Sequence, residues 1–168
     1  MKDKAFVTAL VRGIAFAIIT LLYLQIPMAS GFLWCVYIGF FLAMAFGARR
    51  EEFPNYICSL LAGYVWSIGY TYVPSLLENL FRIPSVAATT VSELVLTFLL
   101  IFVHLKFLGR TWFNKVPAAF AAIATIFAAG GLENIVPCAV SAIAGIVMAI
   151  ITEIIIVSIL EKGNNEES

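Results

Sequence analysis

Thr89, Glu93 and Thr97 recur at i, i+4 and i+8, so on a helix they share one face, and His104 continues the line seven residues on. The run around them is apolar. Glu93 stands about nine residues into it, roughly 13 Å at about 1.5 Å per residue, where a charged carboxylate is costly in hydrocarbon. It must be protonated, paired or facing water there. A carboxylate so placed is a candidate for proton-linked chemistry along a polar path, and the alternative is a neutral Glu93 hydrogen-bonded to a neighbouring helix for packing alone. His104, near the end of the run, reads more simply as an interfacial residue.

A second polar feature is duplicated. Ser59-Leu-Leu-Ala62-Gly63 recurs as Ser141-Ala-Ile-Ala144-Gly145, each inside an apolar run and each preceded by a short break and a proline, Pro54 or Pro137. The approaches are similar, ending in Phe46-Gly-Ala or Phe127-Ala-Ala. Ser59 and Ser141 could join Thr89, Glu93 and Thr97 in lining a narrow polar path. Ala62, Gly63, Ala144 and Gly145 have side chains small enough for close helix approach, and helix packing is the simpler account of the whole motif. The expected seam sets the third helix against the sixth, or each against partners in its own repeat. On that reading Gly63→Leu and Gly145→Leu disrupt the fold more than Leu60→Phe or Ile143→Phe. Glu153, late in the last run, reads as a snorkelling or ion-paired side chain with Arg12 as its partner.

No other constellation supports catalysis. One histidine serves no Ser/His/Asp or Cys/His set, and the sequence has no phosphate-cradling glycine loop. Cys35, Cys58 and Cys138 lack metal-binding spacing and read as small apolar helix residues, so no metal and no cofactor is expected. The chain is not expected to be an enzyme.

The positioning elements follow from composition. Hydrophobic residues make up 62% of the chain and charged ones 12%, against about 45–50% and about 25% in soluble domains. The expected partner is therefore a lipid bilayer, and a net charge of zero gives no reason to expect nucleic acid. Six runs approach the roughly 17 to 20 residues of a transmembrane helix: Val11–Ala29, Phe32–Ala48, Pro54–Leu76, Pro84–Phe107, Val116–Gly131 and Ile135–Leu160. The last break, Gly130-Gly131-Leu132-Glu133-Asn134, is either an outer loop or a segment drawn into the membrane, and the short fifth run either spans or re-enters. The first run is too long for a cleaved signal core and is kept as a helix.

The expected fold is all-α: six transmembrane helices in two inverted three-helix repeats, 1–83 and 84–160, with a disordered polar tail at 161–168. Lys2, Lys4, Arg12, Arg49, Arg50, Lys106, Arg110, Lys115 and Lys162 fall on one side and Arg82 alone on the other, which predicts cytoplasmic termini. Inverted duplication is common among secondary transporters. It leads to the expectation of a small-solute channel or transporter, with a non-transporting scaffold or accessory subunit as the rival reading. So few helices leave little room for a lumen, and a homo-oligomer is expected.

The aromatic second run around Trp34, the breaks at Phe46 and Phe127 and the paired Ser-x-x-Ala-Gly helices resemble a bacterial family of small membrane proteins of unknown function, typified by the enterobacterial inner-membrane protein YcdZ. The likeness covers nearly all of 10–160. Arg49-Arg50-Glu51-Glu52 departs from the glycine-rich break associated with that family, whereas Gly130-Gly131 keeps it. The resemblance implies an inner-membrane location and a multi-helix fold, and it implies no reaction or binding residues.

Overall fold

A computed structural model describes residues 3–165. Lys2, counted above among the cytoplasmic cations, and residues 166–168 of the tail lie outside them. Among the described residues all regular structure is helical. The helices are α1 (Lys4–Leu24), α2 (Pro27–Ser30), α3 (Leu33–Ala45), α4 (Phe53–Phe81), α5 (Ser85–Lys106), α6 (Val116–Ala128) and α7 (Ile135–Asn165), and short 3₁₀ turns, Arg50–Glu52 and Leu132–Asn134, precede α4 and α7.

α1 begins earlier than its apolar run because Asp3 caps it, with Oδ1 accepting the Ala5 amide hydrogen at 2.9 Å. It stops at Leu24 because Ile26, before Pro27, is held extended. At the other end, α7 continues through Glu161 to Asn165, so the start of the expected disordered tail is helical.

α3 and α6 each contain 13 residues and terminate in the same way. Ala48 N–H bonds to Ala43 O and Gly47 N–H to Met44 O, and Gly131 N–H bonds to Ile126 O and Gly130 N–H to Phe127 O. This is the Schellman arrangement, and it needs a left-handed residue just past the helix. Gly47 (φ 84°) and Gly130 (φ 96°) supply it. The structural correspondence is thus Gly47 with Gly130, two positions away from the Phe46 and Phe127 match suggested by the sequence.

At about 1.5 Å per residue these two helices are roughly 20 Å long, short of the roughly 30 Å hydrocarbon core. By length alone, the expectation of six spanning helices is therefore met only in part. Lys4–Leu24, Ser85–Lys106 and Leu132–Lys162 are long and apolar enough to cross a membrane, and a fourth span exists if Leu33–Ala45 and Arg50–Phe81 count as one broken crossing. Hydropathy runs straight through a left-handed glycine, whereas the backbone does not.

The chain forms two compact units: the residues up to Arg50 with those from Val140 onward, and Glu51–Ala139. In the second, α4 packs on α6 and α5. Gly63 lies against the main chain of Ala119, where even a methyl group has no room, and Tyr70, Leu96, Leu100, Ala119 and Ile123 form the core. In the first, Gly145 lies against the main chain of Val36 and Phe40, and Gly39 against that of Ala142. Phe16 of α1 packs edge-on against Tyr37 and Phe40 of α3, at centroid separations of 5.2 Å and 4.6 Å.

Both signature glycines therefore do the job expected of them, with partners other than those expected. Each sits on a long helix and touches a short helix from the other half of the sequence. Leu60, expected to tolerate enlargement, is fully buried.

Candidate functional site

Thr97 Oγ1 and Tyr70 Oη meet at 2.8 Å, joining α5 to α4. Tyr70 is buried, Thr97 half-buried, and Glu93 and Thr89, one and two turns earlier on α5, are exposed. Pro74, inside α4, has no amide hydrogen to give the Tyr70 carbonyl, so the helix ladder is interrupted next to this group. The result is a carboxylate with two hydroxyls, about 12 Å along α5 from Ser85. It can accept hydrogen bonds from a donor-rich solute, hold a cation or pass a proton. The i, i+4 spacing located the α5 side of this site. Tyr70, on a different helix, is joined to it by no local spacing.

The other expected pathway residues lie elsewhere. Ser59 is buried against the segment that follows α5: its Oγ accepts the Lys115 amide hydrogen at 3.0 Å and donates to Trp112 O at 3.3 Å. One turn earlier, Asn55 Nδ2 donates to Thr111 O at 3.3 Å and Asn114 Oδ1 at 3.1 Å. Glu52 pairs with Lys115 Nζ at 2.8 Å and accepts from Tyr56 Oη at 3.1 Å. The first turns of α4 thus fasten residues 111–115. His104 belongs to the same fastening. It is fully buried, with Nδ1 2.6 Å from Phe113 O. A carbonyl only accepts, so Nδ1 carries the hydrogen; Nε2 is buried with no hydrogen-bond partner among the described residues.

Ser141 is buried in the other unit. Beside it on α7, Ala144 lines an apolar groove of about 600 Å³ between α1 and α7, while Ala62 on α4 is half-buried. The structure brings Thr89, Glu93 and Thr97 together along one helix and does not join Ser59 to them. Arg12 and Glu153 form the ion pair that their positions suggested, with Nη2 and Oε2 2.7 Å apart. No group of three or more metal-binding side chains occurs among the described residues.

Residues 9–156 match a family described as protein of unknown function (DUF1097), and the chain belongs to that family. No curated protein and no solved structure matches it.

Proposed function

We propose that this member of an uncharacterised family is an integral protein of the bacterial inner membrane that passes a small, donor-rich solute or a cation across the bilayer without catalysing a reaction. The observation that carries this reading is the Tyr70–Thr97 hydroxyl pair with Glu93 one helical turn before Thr97, well inside an apolar helix. A polar group at that depth costs stability, and its recurring use in membrane proteins is to handle solutes or protons.

The proposed arrangement has six membrane segments in two inverted repeats, 1–83 and 84–160, with both termini cytoplasmic. It is supported by the duplicated signature, the basic side chains gathered on one side, and two 13-residue helices with matching ends. Short helices that stop within the membrane are a recurring feature of solute-binding regions in transporters. The inner-membrane assignment rests on the likeness to the YcdZ-type proteins.

The test is flux into proteoliposomes. With candidate cations and small amines or amides, Glu93→Gln, Tyr70→Phe and Thr97→Val should each lower flux by about tenfold or more, equivalent to about 1.4 kcal/mol, while melting stays near that of the parent. Parent-like flux in all three would sink the reading.

A non-transporting scaffold or accessory subunit is the second reading, favoured by Ser59 being used to fasten residues 111–115. Water-accessible labelling of single cysteines at Thr89, Glu93 and Thr97 separates the two. Labelling along the whole line supports transport, and uniform protection supports the scaffold.

A further inference from the structure

Two cations at the end of α5 have no counter-charge among the described residues. Lys106 and Arg110 are exposed and form no ion pair there, and no Asp or Glu occurs between Glu93 and Glu133. Glu52, which does reach this part of the chain, is taken by Lys115. The segment is also held in place. Gly109 lies against the main-chain carbonyl of Leu105, where a methyl group has no room, so the chain folds back over the end of α5. Residues 111–115 are fastened to α4 by Asn55 and Ser59. Trp112 is left 63% exposed.

Beside these cations an apolar groove of about 430 Å³ runs along α5, lined by Phe98, Ile101, Phe102 and Leu105, with Lys106 last in line. Phe98 and Phe102 stack at 5.7 Å and the Phe107 ring meets Phe102 edge-on at 5.8 Å, so one wall is aromatic. From Phe98 to Lys106 is about 12 Å of helix, close to the roughly 15 Å of hydrocarbon in one leaflet. α5 has 22 residues, roughly 33 Å, so with Ser85 at one surface of the bilayer Lys106 stands at the other.

We infer that the groove and its basic end form a binding site for one anionic phospholipid, with an acyl chain against Phe98, Phe102 and Leu105 and the headgroup phosphate at Lys106 and Arg110. This rests on the membrane reading above and not on transport. Water or a soluble anion leaves the rings without an apolar cover, and an apolar protein surface leaves the cations without a counter-charge. A lipid with a negative headgroup satisfies both along one line. An exposed Trp112 suits the headgroup level, and each basic side chain near an anionic surface favours it by about fivefold.

Fluorescence quenching by brominated lipids tests this on the full chain, with Trp34→Phe and Trp66→Phe leaving Trp112 as the sole tryptophan and melting confirming the fold. Brominated phosphatidylglycerol should quench at concentrations about tenfold or more below those of brominated phosphatidylcholine. Lys106→Gln with Arg110→Gln should bring the two lipids within about threefold, whereas Lys106→Arg should keep the preference. Equal quenching by both lipids, or an unchanged preference in the double variant, overturns the inference. Displacement of the lipid by free glycerol phosphate also overturns it, because the site would then take a soluble phosphate. So does the same preference at Trp34 in a chain that keeps only that tryptophan, because the effect would then be general surface charge. Native mass spectrometry of the unaltered chain is a second measure: one phosphatidylglycerol should stay bound where phosphatidylcholine does not, and equal retention of the two counts against the site. Parent released from membranes by alkaline carbonate sinks the membrane reading, whereas a parent that resists extraction and shows no lipid preference sinks this inference alone. No readout depends on flux.

Discussion

Arg12 Nη2 and Glu153 Oε2 lie 2.7 Å apart although 141 positions separate the residues in the sequence. The pair ties α1 to α7, and both side chains keep partial exposure, 22% and 35%. Arg12→Met should lower the melting temperature of the detergent-solubilised protein, because Glu153 loses its partner. Adding Glu153→Leu should restore most of the loss, with a coupling energy of about 1 kcal/mol. Additive losses from the two substitutions would show that the contact contributes nothing.

The glycine seams allow a sharper test than large substitutions. A single methyl at Gly39, Gly63 or Gly145 meets main-chain atoms that cannot swing aside. Each Gly→Ala variant should lose about 1 to 3 kcal/mol. Gly13, on α1, has open space around its missing Cβ, and Gly13→Ala should be neutral or gain up to about 1 kcal/mol from helix propensity. Leu61→Phe, on an exposed position of α4, is the appropriate enlargement control, because Leu60 is fully buried. If Gly63→Ala and Gly13→Ala melt alike, the α4–α6 contact is looser than described.

Conformation alone should make Gly47 and Gly130 sensitive. Both have open space or only a flexible side chain nearby, yet both adopt left-handed φ values. Alanine at either should cost about 1 to 2 kcal/mol, and Gly31→Ala, at an ordinary φ of −65°, should cost little. Thermal melting of the three variants side by side measures this.

Ser59→Ala should loosen the segment after α5 without unfolding the protein. The substitution removes the acceptor of the Lys115 amide hydrogen and the donor to Trp112 O; a lost partner at a buried site costs about 1 to 3 kcal/mol. Trypsin cleavage after exposed Arg110 should quicken severalfold, while flux, if present, is retained. An unchanged cleavage rate would return Ser59 to the list of pathway candidates.

Helical spacing was informative about faces and silent about what lies opposite them. It put Thr89, Glu93 and Thr97 in line, and Thr97 does reach out from that line, but its partner Tyr70 is 27 positions earlier and no local pattern connects them. Ser59 shows the same limit in reverse. Its place in an apolar run left a polar path and helix packing both open, whereas its hydroxyl is taken up by main-chain groups more than fifty residues on. Of the small residues of the signature, Gly63 and Gly145 lie against neighbouring main chain, whereas Ala62 and Ala144 are half-buried. Their partners were not legible, because a glycine that admits a neighbouring backbone does not specify which one. Helix length was misjudged at Gly47 and Gly130 for a related reason: apolar composition continues through a turn that φ alone dictates.

The pairing of each long helix with a short helix from the other half of the sequence has a consequence for synthesis. α3 leaves the ribosome early, but Gly145 and Ala142, which cover its main chain at Val36 and Gly39, follow about a hundred residues later. At roughly 5 to 20 residues per second that is a wait of about 5 to 20 seconds, longer than helix formation by many orders of magnitude. During that interval the closest packing surface of the nascent amino-terminal segment stays bare. Neither half carries the surfaces that would let it finish alone. Fragments made separately should therefore be degraded singly and persist when co-expressed.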